Sequence, residues 1–215
     1  ACAQGWISPR AMRNGIIVTV LFACLIGSAL LFYAGWELII VGLLCVLFAF
    51  LYTTGPYPLS YNGWGDVLVI VVFGFVPVGG TYYVQALTWT SDTTVASLIC
   101  GLLIDTLLVV NNYRDREADA RSGKRTVIVR FGEKFGRYLY LMLGVAASLL
   151  CFWFFFEGHL FAALLPLLYL IPHVLTWRRM VQIHSGKKLN SILGETSRNM
   201  LLMGILLSIG FLIRH

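Results

Sequence analysis

The sequence predicts an all-α, polytopic bundle of about seven transmembrane helices, and three observations carry that prediction. Of its 215 residues, 59% are hydrophobic, and the mean hydropathy is +0.81, both beyond the range of water-soluble domains. Only 12% of the residues are charged, and they cluster, leaving long stretches nearly free of charge, as the bilayer core demands. Those stretches are apolar on both faces, whereas barrel strands alternate apolar and polar residues, so helices carry the fold.

A spanning helix needs roughly 17 to 25 residues. Seven stretches are candidates: Gly15 to Tyr33, Trp36 to Tyr52, Val67 to Tyr83, Thr94 to Val110, Tyr138 to Phe156, Leu160 to Trp177 and Asn199 to Ile213. The second and the last are marginal, because Glu37 sits at the edge of one and the other is short. They form one membrane-embedded domain over residues 1–215, with a polar loop over residues 111–137.

Alternating these seven helices places 15 of the 16 Lys and Arg residues on one side, leaving only Arg214 on the other. Basic residues accumulate in cytoplasmic loops, so a multi-pass protein of the cytoplasmic (inner) membrane is expected, with 111–137 and 178–198 in the cytoplasm and 85–93 and His215 outside. The net charge of +6 then reflects orientation and anionic headgroups of the lipid bilayer, and no nucleic acid is needed to explain it. Cys2, Cys24, Cys45, Cys100 and Cys151 show no paired spacing and read as packing residues. The chain begins with Ala1 and its first 14 residues lack a signal-peptide shape, which leads to the expectation of a native N-terminus further upstream.

Between the fourth and fifth spans the text changes to NNYRDREADARSGKRT, Asn111 to Thr126. If the fourth helix continues past the membrane surface at about 100° per residue, Asn112, Asp115 and Asp119 fall within roughly 60° of one another, and Asp105 points the same way from inside the membrane. A hard cation such as Mg2+ takes oxygen ligands, keeps several waters and is held by one or two carboxylates together with phosphate oxygens. Asp115 and Asp119, one turn apart, suit that role, with basic neighbours Arg114, Arg116, Arg121, Lys124 and Arg125 able to meet a diphosphate. The same residues also read as a solvated charged face with local ion pairs, for example Arg116 with Asp119. Asp105 reads either as a supporting partner of that site or as a structural hydrogen bonder. His159 and His173 read as interfacial or core residues, and no role is assigned to His184.

The motif Asn111 to Thr126, followed by VRFG at Val129 to Gly132, resembles the second aspartate-rich motif of the UbiA superfamily of membrane prenyltransferases. The paired asparagines and the RD step look most like its naphthoate-accepting branch in menaquinone synthesis. AQGWIS, Ala3 to Ser8, and YTTGPYPLSYNGWGD, Tyr52 to Asp66, resemble two further segments in the same order. The resemblance implies a nine-helix fold with two facing aspartate-rich motifs. Seven helices and one motif are legible here, so the first two helices and the first motif are expected upstream of Ala1, and this chain alone is expected to be inactive.

What the resemblance implies chemically is Mg2+-dependent transfer of a polyprenyl group from polyprenyl diphosphate to an aromatic acid acceptor. For 1,4-dihydroxy-2-naphthoate the product is a demethylmenaquinone. Asp115, Asp119 and Asn112 are the implied metal residues; Asn111, Asn112, Arg116, Lys124, Arg125 and Tyr57 the implied substrate residues. Tyr52 carries over as a catalytic, substrate-positioning tyrosine, and Tyr52 and Tyr57 could face an allylic cation with their rings. The family's basic residue shortly after that tyrosine has no counterpart, since no Lys or Arg occurs from Thr53 to Gly65. Hydroxybenzoate or homogentisate as acceptor, and an ion-coupled transporter built around Asp105, are the competing readings. The tyrosines read equally as members of an interfacial aromatic belt.

Overall fold

A computed structural model describes residues 2 and 5–213. Ala3 and Gln4 of the AQGWIS segment, together with Ala1, Arg214 and His215, lie outside the described residues, and so does the expected outward placement of His215. The described residues form seven long helical segments, a short 3-10 turn at Leu59–Tyr61 and no strand: α1 Pro9–Phe32, α2 Glu37–Thr53, α3 Gly65–Ala86, α4 Ser91–Arg121, α5 Val127–Phe156, α6 Leu160–Ile183 and α7 Lys187–Leu212. Six are long and apolar enough to cross a membrane, and α2, at 17 residues, is the shorter one.

Local chemistry sets the helix starts. Ser8 caps α1 by accepting from the Ala11 N–H at 3.2 Å, with Pro9 in the first turn, where its fixed φ and missing N–H cost nothing. Thr90 and Thr126 cap α4 and α5 in the same way, accepting from Thr93 N at 3.1 Å and Val129 N at 3.3 Å. Asp92 in the first turn of α4 complements the helix dipole. At 31 residues, α4 is about 46 Å long, well over the roughly 30 Å hydrocarbon core. Its polar end therefore stands clear of the apolar stretch, which ends at Val110.

The core forms around α4. Val109, Val110 and Tyr113 bury against Ile128, Tyr140 and Leu143 of α5, Met180 of α6, and Leu189 and Ile192 of α7. A second cluster, deeper in the bundle, joins Ile99 and Leu103 to Ala147, Cys151, Phe154, Ala162, Tyr169 and Met203. By contrast α1 buries none of its helical residues and packs chiefly on α2.

Two glycines let α3 and α4 touch. A Cβ on Gly101 would lie 2.6 Å from the Ile70 carbonyl oxygen, and one on Gly74 would run into the Ser97 carbonyl. The sequence predicts α3 as an ordinary helix, but Ile70–Gly79 is π-helical with Pro77 inside it. Proline lacks the N–H of a regular turn and its ring crowds the preceding carbonyl, and a widened turn accommodates both effects. In α5 the helix kinks in its second turn at Gly132, whose φ of 88° favours glycine.

The last span differs from its expected extent. It does not begin at Asn199: α7 starts at Lys187 and spans 26 residues. Its polar first half remains helical because partners on α6 satisfy it. Arg179 Nη1 lies 2.5 Å from Glu195 Oε1, and Asn199 Nδ2 donates to Thr176 Oγ1 at 2.9 Å. His173 is fully buried, stacked on Tyr140 and Tyr169. Its Nε2 lies 3.2 Å from the Leu141 carbonyl, which can only accept, so Nδ1 is left to accept from the Tyr169 hydroxyl at 2.9 Å.

Hydrogen bonds gather three polar loops at one end of the bundle. Arg125 N donates to Tyr61 O at 2.8 Å and Arg130 Nη2 to Asn62 O at 2.7 Å, which joins the α2–α3 loop to the α4–α5 loop. Arg114 Nη1 donates to Asn190 Oδ1 at 2.9 Å, and His184 Nε2 lies 3.1 Å from Glu133 Oε2. These contacts bring in the α6–α7 loop.

Candidate active site

The polar end of α4 is a continuous helical extension, the condition on which Asn112, Asp115 and Asp119 share one face. Arg114 sits at its centre. Its Nε and Nη2 donate to Asp115 Oδ1 and Oδ2 at 2.7 and 2.6 Å, and Nη2 also donates to Asn111 Oδ1 at 2.6 Å. Asp115 stands more than a turn beyond the apolar stretch, and the guanidinium hydrogen-bonded to it holds its carboxyl below the ordinary carboxylate range. Asp119 pairs with Lys124 across the turn that ends α4, at 3.3 Å. Asn112 is buried on the same helix face.

Arg116 does not pair with Asp119. It stacks over the Tyr113 ring at 4.4 Å, donates to Tyr113 O at 2.7 Å and bonds Glu133 at 3.1 Å. Arg137 completes this brace, bonding Glu133 at 2.9 Å and the Tyr113 hydroxyl at 2.9 Å. The brace ties α4 to α5 and sets the direction in which α4 leaves the bundle. Arg125 and Tyr57 are exposed.

Beside the polar end lies an apolar cavity of about 700 Å3 walled by α2, α3, α4 and α7. Tyr52 and Asn111 line it together with Phe48, Val72, Leu108 and Leu193. A second apolar cavity, about 750 Å3, shares Ile104 and Ser197 with the first and continues along the α4–α7 seam to Ala96 and Ile209. From Asn111 to Ala96 this seam runs about 22 Å along α4. A carboxylate-bearing helix end thus meets the mouth of a long greasy trough.

Two buried acids stand in this region, Asp105, which the sequence marked, and Asp66, to which it gave no role. Asp66, at the start of α3, is 9% exposed, lies near Tyr52 and Asp105, and has an Oδ1 without a hydrogen-bond partner. Asp105 is 1% exposed, and its Oδ1 is likewise unpartnered. An acid at the threshold of an apolar run is the signal that could have marked Asp66. The α7 wall of Leu193, Gly194 and Ser197 leaves no such signal.

Comparison with known proteins shows the family of the chain. The UbiA prenyltransferase family matches residues 1–209. The chain belongs to the UbiA prenyltransferase family. Among relatives similar to this UbiA chain is a 1,4-dihydroxy-2-naphthoate octaprenyltransferase of Haemophilus influenzae, 36% identical over 98% of the chain and 70% of the relative. Proteins of the same description from Escherichia coli and Mycobacterium tuberculosis are each 37% identical, over 69% and 67% of the chain. The chain spans 50% of the length of each of these two relatives. No solved structure gives a significant match.

The residues that the sequence offers for a metal, Asp115, Asp119 and Asn112, carry the donor type that suits a hard dication. These donors are carboxylate and amide oxygens, with no thiolate or imidazole among them. Among the described residues no group of three or more His, Cys, Asp and Glu converges.

Proposed function

We propose that this chain carries the polyprenyl-transfer site of a 1,4-dihydroxy-2-naphthoate prenyltransferase. One observation supports this reading above the others: Asn111 belongs both to the carboxylate-bearing helix end and to the wall of the apolar trough. A substrate with a charged head and a long apolar tail fits that arrangement, and polyprenyl diphosphate is such a substrate. The relatives' description supplies the acceptor class.

Mg2+ held by Asp115, Asp119 and the Asn112 amide oxygen would supply neutralisation of the diphosphate. The chain's own residues do the rest. Arg114 keeps Asn111 and Asp115 in fixed rotamers, and Lys124 and Arg125 offer charge to the leaving diphosphate. Tyr52 presents its ring at the mouth of the trough, where positive charge develops on the allylic carbon. The bond from that carbon to the diphosphate oxygen breaks, its electron pair leaving with diphosphate. A bond then forms to the ring carbon bearing the carboxylate, and CO2 departs, returning its bonding pair to the ring.

The test is prenyl transfer by membranes containing the full-length protein, with polyprenyl diphosphate and, in parallel, dihydroxynaphthoate, hydroxybenzoate or homogentisate. Mg2+-dependent product with the naphthoate is expected. Product with another acceptor only would refute the acceptor assignment, and undiminished transfer in excess EDTA would refute the metal assignment.

A further inference from the structure

On the face of α7 turned away from the trough, a second cleft of about 470 Å3 opens between α6 and α7. Its floor is built from buried polar groups, Thr176, Glu195 and Asn199. Its rim carries Arg178, Arg179, Gln182 and Arg198. Glu195 is the one acid in the lining, and Arg179 takes up its charge at 2.5 Å. Among the described residues Arg178 and Arg198 have no hydrogen-bond or ion-pair partner, so two guanidinium charges remain uncompensated.

The cleft lies at the end of the bundle that carries the basic loops, since Arg114 reaches across to Asn190 at the start of α7. Pro172 and Leu175 form its apolar wall. Below them on α6, Leu168 and Ile171 are exposed at helical spacing, making an apolar lane that descends from the cleft along the outside of the bundle. A cationic pocket between two helices, at headgroup depth, with an acyl lane beneath it, matches an anionic phospholipid. The substrate diphosphate is a poor fit, because Leu193, Gly194 and Ser197 of the trough lie on the opposite face of α7.

We propose that this cleft binds the phosphate of an anionic membrane lipid, with Arg178 and Arg198 as its ligands and the Leu168–Leu175 lane holding an acyl chain. Orientation alone explains why basic residues lie on this side, but not why two of them stay unpaired around a polar, half-enclosed cleft.

The experiment measures lipids retained by the full-length protein, purified and then exchanged into nanodiscs of phosphatidylcholine doped with phosphatidylglycerol, by native mass spectrometry. The wild type should retain phosphatidylglycerol over phosphatidylcholine. R178Q/R198Q should lose that preference by on the order of tenfold. K187Q/K188Q, which removes two charges from the first turn of α7 outside the cleft, should keep it. Unfolding temperatures in pure phosphatidylcholine establish that both variants are folded. Equal loss in both double variants would reduce the effect to general surface charge and overturn the proposal. So would displacement of the lipid by millimolar inorganic phosphate, which lacks the chain that the lane should hold.

Discussion

At the scale of single residues, the site is a set of oxygens restrained by arginine. Asp115 is partly exposed, with 38% of its side chain accessible, and its pair with Arg114 is local in sequence. Such pairs contribute about 0–1 kcal/mol to stability, so their value lies in chemistry. Asp115→Ala and Asp119→Ala in the full-length protein should each lower prenyl transfer on the order of 100-fold or more, the scale of losing one preorganised electrostatic contact. Membrane insertion and unfolding temperature should barely move. Both variants keeping more than a modest share of wild-type turnover in a radiolabelled diphosphate assay would remove these carboxylates from the mechanism. The motif was legible here because polar residues in an apolar text have few structural excuses. The brace that engages Arg116 was not legible, because Glu133 lies 17 residues away across a turn whose geometry Gly132 and Thr126 decide.

At the scale of elements, α3 and α4 meet backbone to backbone at Gly74 and Gly101, and the trough opens where α2 and α7 complete its walls. Gly101→Ala should push Ile70 away and destabilise the bundle by roughly 1–3 kcal/mol, as overpacking does. Gly204→Ala on α7, where an added Cβ meets nothing within 4 Å, should be neutral or slightly stabilising. Thermal unfolding of the two variants in one detergent checks the contrast, and equal effects would mean that the α3–α4 crossing is not a tight contact. Helix count and most bounds followed from hydropathy alone, but the expected polar loop over 111–137 is helical except for residues 122–126, and α5 begins at Val127 instead of Tyr138. The start of α7 did not, because Glu195 and Asn199 look like loop residues until Arg179 and Thr176 of α6 are seen to satisfy them. The π-helical stretch around Pro77 escaped for a related reason: proline announces a disturbance in a helix without stating how the chain absorbs it.

At the scale of the whole molecule, the bundle is polarised, with three polar loops joined at one end by hydrogen bonds. Single cysteines at Ser122 and Ser185, in a background without native cysteines, should be labelled from the same side of the membrane. Cysteines at Thr88 and Gly158, in the opposite loops, should be labelled from the other. Labelling of all four from one side would overturn the seven-helix path. The sequence by itself determined the membrane class, the helical fold and the identity of the polar segment, because hydrophobicity and charge are properties of local composition that a bilayer sorts directly. Only the tertiary structure decided which residues share a space. Asn190 reaches Arg114 across 76 positions, Leu193 and Ser197 wall the trough opposite Tyr52, and Arg178 and Arg198 face one cleft. These juxtapositions arise from helices packing side by side, and the rotation of each helix about its axis is fixed by its neighbours' side chains rather than by its own hydropathy.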